Sequence, residues 1–109
     1  MNQKKAARPW FIYLIKTVQD TLYCGVTTCI ERRLKEHRNQ SIKTAKALRG
    51  KAPLTLVYAA SIDNKSDALK TEIWVKKQKR TQKLSLIRGD ILLPIAHCRI
   101  EANVFNPPD

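Results

Sequence analysis

Arg33 and His37 lie four residues apart in a stretch with helical apolar spacing, so their side chains would share one face of a helix. An arginine can hold a phosphate through paired hydrogen bonds and stabilise negative charge that develops on it. A neutral imidazole one turn along could accept a proton or orient a water molecule. The spacing therefore fits chemistry on a phosphate group, although an ordinary solvated helix face would show the same pair.

Glu72 is the carboxylate with the most informative position. In a helix its one-turn neighbours would be Ala68, Leu69, Val75 and Lys76, so it borders an apolar face. A carboxylate there needs compensation, because removing an unpaired charge from water is costly. One Mg²⁺ or Mn²⁺ ion would supply that compensation, with Glu72 as the metal ligand. The alternative is an exposed ion pair between Glu72 and Lys76, worth about 0.3 to 0.5 kcal/mol.

Tyr13 and Tyr23 lie in two apolar runs, residues 10–15 and 22–26, that a short polar break separates. The runs predict two strands of an antiparallel hairpin, and a suitable register would set both phenols over one surface of the sheet. Either tyrosine would equally fit an amphipathic core position.

The remaining elements follow from capping and breaker residues. The segment Thr28-Cys29-Ile30-Glu31 has the form of a capping box, which predicts a first helix from Thr28 to about residue 40. Residues 41–53 predict a basic loop, and residues 54–60 predict a third strand. Ser66, with Asp67 in the first turn, predicts the start of a second helix that ends near residue 80.

The end of the chain gives weaker signals. Thr81 predicts the start of a short third helix that Gly89 would stop. Residues 89–109 contain apolar side chains that could pack, but Pro94 and the terminal prolines predict irregular packing and a frayed end.

The charge of the chain predicts an acidic partner. Its 109 residues include 21 Lys and Arg against 9 Asp and Glu, a formal charge of +12. Nucleic acid is the favoured partner, DNA over RNA, because cationic side chains displace counterions from phosphates. No apolar run approaches the roughly 20 residues of a membrane span. The residues expected to bind nucleic acid are Lys43, Lys46, Arg49, Lys51, Lys76, Lys77, Lys79, Arg80 and Lys83.

The length fits one domain with loose ends. Residues 1–9 form a polar, basic tail without the apolar core of a secretory signal, so we expect a cytoplasmic protein. The three cysteines, Cys24, Cys29 and Cys98, are odd in number and form no CxxC pair, which indicates small buried thiols.

Taken together, these residues resemble the GIY-YIG nuclease superfamily, and within it the small stand-alone YhbQ-type bacterial proteins. The resemblance covers about residues 10–88, followed by an extension at 89–109. It is carried by the segments Phe11-Ile12-Tyr13 and Tyr23-Cys24-Gly25, by Arg33 and His37, and by Glu72 on a later helix.

The resemblance implies an α+β fold in which a small three-stranded antiparallel sheet is flanked by about three helices, with these five residues gathered on one face. By that analogy Glu72 holds one divalent metal ion and Arg33 contacts the scissile phosphate. Tyr23 or Tyr13 helps to activate the attacking water, with His37 assisting. The implied function is a metal-dependent endonuclease acting on DNA in repair or processing.

Two alternatives remain open at this stage. A catalytically weak or inactive nucleic-acid-binding module would keep the fold, and a basic adaptor that docks on an acidic protein would need only the lysines. Salt sensitivity would not separate the three functions, because all of them depend on positive charge. The oligomeric state cannot be read from the sequence.

Overall fold

Residues 8–41 and 43–108 are described by a computed structural model. The chain folds in an α+β arrangement, as predicted. It contains three longer strands, three helices and a short fourth strand. Two 3₁₀ segments interrupt the connections. The elements are β1 Trp10–Lys16, β2 Leu22–Thr27, α1 Ile30–Arg38, a 3₁₀ segment Lys46–Leu48, β3 Thr55–Ile62, α2 Lys65–Lys76, α3 Arg80–Arg88, β4 Cys98–Ile100 and a 3₁₀ segment Ala102–Phe105.

The sheet has four antiparallel strands in the order β2-β1-β3-β4, so the prediction of three strands is wrong. The fourth strand, β4, has three residues and pairs with residues 59–61 of β3. Three residues are too few to show a strand pattern in the sequence. The strand is therefore defined by its pairing with β3, a long-range contact that local pattern does not contain.

The central strand β1 is covered on both faces because successive side chains point to opposite sides of a sheet. Tyr13 and Ile15 face α1, where they pack with Ile30 and Leu34. The alternate residues of β1 pack on the other side against α2 and α3. The fold therefore has three layers, with α1 on one side of the sheet and α2 and α3 on the other.

The helices begin at residues other than the predicted caps. Helix α1 has Cys29 at its N-cap and no side-chain cap, so the predicted capping box at Thr28 is wrong. The buried hydroxyl of Thr27 instead accepts a hydrogen bond from the Cys29 amide at 3.2 Å. Because this bond fixes the turn between β2 and α1, the chain enters the helix one residue later than the sequence pattern predicted.

The other two helices also differ at their ends. Asn64, not Ser66, caps α2, and its side-chain oxygen accepts from the Asp67 amide at 2.9 Å. Helix α2 ends at Lys76, four residues before the predicted end. Helix α3 starts directly after Lys79 without a side-chain cap, whereas Gly89 ends it with a φ of 87°, as predicted.

The segment after α3 is more ordered than predicted. The Asn106 side chain hydrogen-bonds both backbone groups of Leu56, accepting from its amide at 2.9 Å and donating to its carbonyl at 3.0 Å. Arg38 of α1 donates to Asn106 Oδ1 at 2.8 Å and to the Phe105 carbonyl at 2.7 Å. Phe105 packs against the core on the α1 face. This segment therefore closes the end of that core.

Three further predictions concern the cysteines, the tail and the membrane. Cys24 is buried as expected, but Cys29 is partly exposed and Cys98 is exposed, so the expectation of buried thiols holds only for Cys24 among the three. The predicted basic tail, residues 1–9, lies outside the described residues except for its last two positions. Within residues 8–41 and 43–108, no helix has the length and apolarity needed to cross a membrane.

Candidate active site

Three rings meet on the α1 face of the sheet, those of Tyr13, Tyr23 and His37. The ring centroids of the two tyrosines are 6.4 Å apart, and those of Tyr13 and Tyr23 lie 6.0 Å and 5.9 Å from that of His37. The strand register produces this arrangement, because Tyr13 pairs with Gly25 and Tyr23 pairs with Ile15, which puts both phenols on one face.

Gly25 makes room for the Tyr13 ring. A Cβ atom at position 25 would lie 2.5 Å from the Tyr13 hydroxyl oxygen and 2.7 Å from Cζ. The phenol therefore lies directly over the backbone of β2. The sequence marked Gly25 only as part of a motif, whereas the geometry gives the physical reason for the missing side chain.

His37 is fully buried and links Tyr13 to the loop after α1. Its Nε2 lies 3.0 Å from the Tyr13 hydroxyl oxygen, and its Nδ1 lies 2.8 Å from Thr44 Oγ1. Burial and then the Arg33 charge lower the pKa of His37 to about 4, so the imidazole is neutral at physiological pH. Because the exposed fraction of His37 is 0%, its ring contacts Tyr13 and not solvent.

The two tyrosines differ in accessibility. Tyr13 is 2% exposed, and burial raises the pKa of its phenol far above the ordinary value. Tyr23 is partly exposed, and burial raises its pKa as well, but the positive charges of Lys76 and Arg33 oppose that rise. Tyr23 is therefore the phenol that solvent can reach.

Arg33 lies beside both the rings and the basic loop. Its Nη1 donates to Glu36 Oε1 and to the Lys43 carbonyl, each at 2.8 Å. Its charge also lowers the pKa of the neighbouring Tyr13, against the effect of burial. Glu36 was not singled out from the sequence, although its spacing of three residues from Arg33 on the same helix was a usable signal.

Glu72 approaches the rings from the opposite layer of the fold. It lies on α2, its side chain is 19% exposed, and its Oε2 lies 3.2 Å from Lys76 Nζ. Its negative charge raises the pKa of Tyr23, which faces α1, and that of Cys24, which faces α2. Because β2 is an edge strand, Glu72 is in electrostatic reach of Tyr23 although the two residues belong to different layers.

The five predicted residues therefore do not share one face of the sheet. Tyr13, Tyr23, Arg33 and His37 lie on the α1 side, and Glu72 lies on α2, which packs on the other side. The ion pair with Lys76 also forms, which is the alternative that the sequence left open.

The acidic groups of the described residues fit a metal site with a single carboxylate ligand. No cluster of three His, Cys, Asp or Glu side chains occurs within the described part of the chain, which does not favour an all-protein cage. Magnesium in phosphoryl-transfer sites is often held by one or two carboxylates, with phosphate oxygens and waters completing the shell. Glu72, whose side chain is 19% exposed and whose charge acts on the partly exposed Tyr23, fits that role as a single carboxylate ligand.

A comparison with protein families identifies this arrangement. The family model described as the GIY-YIG catalytic domain matches residues 9–85. The chain belongs to the GIY-YIG family. The two motifs that give the family its name fall at Tyr13 and at Tyr23 to Gly25, the residues that bring the phenols together.

Relatives within the GIY-YIG family include several bacterial UPF0213 proteins. The UPF0213 protein YhbQ of Escherichia coli strain K12 is 51% identical over 79 residues, which cover 72% of this chain and 77% of that protein. A UPF0213 protein of Vibrio cholerae is 44% identical over 89 residues, which cover 81% of this chain and 86% of that protein. A UPF0213 protein of Bacillus halodurans, solved by NMR in solution, is 31% identical, with a TM-score of 0.49 over 73% of this chain and 83% of that one.

This GIY-YIG chain departs from the motif letters at two positions. Phe11 replaces the first glycine and packs against the core on the α1 face, while Cys24 replaces an isoleucine and is buried on the other face. Both substitutions put an apolar group where the sheet faces a helix. They leave Tyr13, Tyr23 and Gly25 in register.

The nine basic residues expected to bind nucleic acid belong to two segments that contact the same turn. The Lys51 carbonyl accepts from the Val18 amide at 3.0 Å, and Arg80 donates to Asp20 Oδ2 at 3.1 Å. Lys51 and Lys83 are partly buried, and the other seven are exposed. The loop and the start of α3 thus flank the β1–β2 turn, and the role of all nine in binding stays a prediction.

Proposed function

We propose that this GIY-YIG protein is an endonuclease that hydrolyses phosphodiester bonds in DNA with one divalent metal ion, Mg²⁺ or Mn²⁺. The observation that carries the proposal is that Tyr23 lies on the α1 face with Arg33 nearby, while the Glu72 carboxylate of α2 acts electrostatically on the Tyr23 phenol. A reachable phenol, a guanidinium and a mostly buried carboxylate are the groups that phosphodiester hydrolysis requires.

Each group has a distinct task in the proposed reaction. Arg33 binds a non-bridging oxygen of the scissile phosphate and stabilises the charge that develops there. Tyr23 Oη orients the attacking water and accepts its proton, which requires the phenolate form. A divalent ion held by Glu72 supplies Lewis-acid chemistry and positive charge when bound. Tyr13 and His37, both buried, hold the ring cluster together from behind.

The pKa of Tyr23 sets a condition on this proposal. Burial is the largest cause that raises that pKa and the negative charge of Glu72 raises it further, whereas Lys76 and Arg33 lower it. A cation that neutralises Glu72 would remove the contribution of Glu72 to the raised pKa of Tyr23. Metal dependence is therefore expected of cleavage and not of binding, since binding depends on the exposed lysines and arginines.

A second candidate function is a nucleic-acid-binding module without catalysis. The observation that favours it is the ion pair between Glu72 and Lys76, which already compensates the carboxylate. Such a module would bind DNA through the same basic segments and would be indifferent to metal. The two functions differ in the effect of removing the Glu72 charge.

The deciding experiment is cleavage of labelled single-stranded, duplex and branched DNA with Mg²⁺, Mn²⁺ or EDTA, with binding recorded in parallel. Glu72→Gln is compared with the native protein and with Glu101→Gln, a matched change at an exposed position. The endonuclease proposal expects metal-dependent cutting that Glu72→Gln abolishes and Glu101→Gln preserves, with binding retained in both. Binding without cutting by the native protein would establish the non-catalytic module instead.

A further inference from the structure

Thr44 is the outer end of a buried chain of polar groups that reaches the proposed site. It lies in the basic loop, is 5% exposed, and has its Oγ1 2.8 Å from His37 Nδ1. His37 Nε2 in turn lies 3.0 Å from the Tyr13 hydroxyl oxygen. Three side chains from β1, α1 and the loop are thus joined through one imidazole ring.

The direction of these hydrogen bonds follows from the neighbours of Tyr13. A neutral imidazole carries one proton, so one ring nitrogen donates and the other accepts. Arg33 can only donate, and its charge beside Tyr13 favours electron density on the phenol oxygen. Within the described residues, His37 Nε2 is the acceptor within reach of the buried Tyr13 hydroxyl. If Nε2 carried the proton, the Tyr13 hydroxyl would have no acceptor for its own.

We infer that Thr44 is a positioning residue for the proposed site. Its hydroxyl accepts from Nδ1–H of His37, which leaves Nε2 unprotonated to accept from the Tyr13 hydroxyl. Thr44 thus supplies the acceptor that the Nδ1–H tautomer needs in the buried interior, and so stabilises the tautomer that Tyr13 requires. Thr44 itself touches neither substrate nor metal.

The loop holds a second group of the site at the adjacent residue. The Lys43 carbonyl accepts from Arg33 Nη1 at 2.8 Å, so residues 43 and 44 fix both the guanidinium and the imidazole. Lys43 is exposed and belongs to the predicted nucleic-acid-binding set. A phosphate backbone that binds this loop therefore acts on the segment that positions Arg33 and Tyr13. That consequence rests on the proposed function, whereas the tautomer does not.

The tautomer can be measured on the native protein by ¹H–¹⁵N long-range correlation NMR of the imidazoles at neutral pH. The protein has two histidines, which a His97→Gln variant separates. His97 is an internal reference, because its Nδ1 lies 2.6 Å from the Ile95 carbonyl, which only accepts, so Nδ1 carries a proton. We expect the Nδ1–H form for His37. An Nε2–H form in the native protein overturns the inference.

Two variants of Thr44 test its role. Thr44→Val keeps the branched shape and removes the hydroxyl, whereas Thr44→Ser keeps the hydroxyl. We expect Thr44→Val to move His37 toward the Nε2–H form and Thr44→Ser to retain the native tautomer. An unchanged tautomer in folded Thr44→Val overturns the assignment, and the native spectrum decides the matter if that variant does not fold.

Cleavage assays separate this inference from the proposed function. If the native protein cuts DNA, Thr44→Val is expected to lower kcat about tenfold to a hundredfold, with KM changed less than about twofold and with recovery in Thr44→Ser. Equal kcat in Thr44→Val and native protein overturns the positioning role. If no variant cuts DNA, the endonuclease proposal fails, and the tautomer measurement still decides the inference about Thr44.

Discussion

Tyr13 and Gly25 face each other across β1 and β2, and the phenol of Tyr13 occupies the space that a side chain at position 25 would need. The hydroxyl oxygen lies 2.5 Å from the position of the missing Cβ. A Cβ atom at position 25 would be fixed to the β2 backbone, so the Tyr13 ring would have to move to admit it. The contact between Tyr13 and His37 thus depends on a glycine in the neighbouring strand.

Gly25→Ala is expected to lower the free energy of unfolding by about 1 to 3 kcal/mol, because overpacking displaces the Tyr13 ring. Urea denaturation measures this loss, and the His37 imidazole signals report the broken contact with Tyr13. Gly50→Ala is the control, since no atom lies within 4 Å of a Cβ there and only the positive φ of 70° is strained. Unchanged His37 signals in Gly25→Ala would contradict the proposed steric role.

His37 is expected to make stability fall with acid between about pH 6.5 and pH 4. Its pKa is lowered from 6.5 to about 4 on folding, so only the unfolded chain takes up a proton in that window. The loss is on the order of 3 kcal/mol at pH 4. Arg33 lowers the pKa of His37 further, whereas Glu36 raises it. The pKa of Glu36 is itself lowered on folding, so the stability that Glu36 contributes is lost below pH 4.5.

Urea denaturation from pH 7.5 to 4 measures the effect of His37 protonation. His37→Gln is expected to remove most of the slope between pH 6.5 and 4.5, whereas His97→Gln is expected to retain it. An equal slope in native protein and His37→Gln would assign the acid sensitivity to other groups.

Arg33→Lys is expected to reduce cleavage about a hundredfold while DNA binding changes little. Lysine keeps the charge but loses the planar fork that can bind a phosphate oxygen in addition to Glu36 and the Lys43 carbonyl. Single-turnover cleavage and fluorescence anisotropy measure the two effects. The neighbouring Arg32→Lys, at a more exposed position, serves as the control and is expected to cut normally. A similar loss in both variants would contradict a specific role for Arg33.

Lys76→Gln is expected to tighten Mn²⁺ binding about twofold to fivefold, because Lys76 and a cation compete for Glu72. Mn²⁺ titration followed by EPR measures the affinity without relying on activity. Lys77→Gln removes the same charge at the next position and is expected to change the affinity less. Equal affinities in the two variants would argue against metal binding at Glu72.

Asn106→Ala is expected to destabilise the protein by about 1 to 3 kcal/mol, because it leaves the backbone groups of Leu56 and a donor of Arg38 without their partner. Thermal and urea unfolding measure the loss. Asn103→Ala, at an exposed position of the 3₁₀ segment that precedes Asn106, is the matched control. A loss no greater than that of the control would mean that water replaces the Asn106 side chain at little cost.

The order of the main elements followed from the sequence because it depends on local pattern. The apolar runs around Tyr13 and Tyr23 indicated two strands, and period-two alternation then put both phenols on one face, as observed. Gly89 ended the third helix because its φ of 87° suits a residue without a side chain. Helix starts were predicted less well, because several neighbouring polar residues could cap each one and packing selected among them.

The sequence by itself determined the family, the strong positive charge and which side of its own element each candidate residue occupies. Only the tertiary structure decided that His37 is buried between Tyr13 and Thr44, that the Glu72 charge acts on Tyr23 from another layer, and that β4 completes the sheet. Local pattern fixes the direction of a side chain relative to its own helix or strand. Its partner in another layer depends on long-range pairing and packing, which join residues that are distant in the chain.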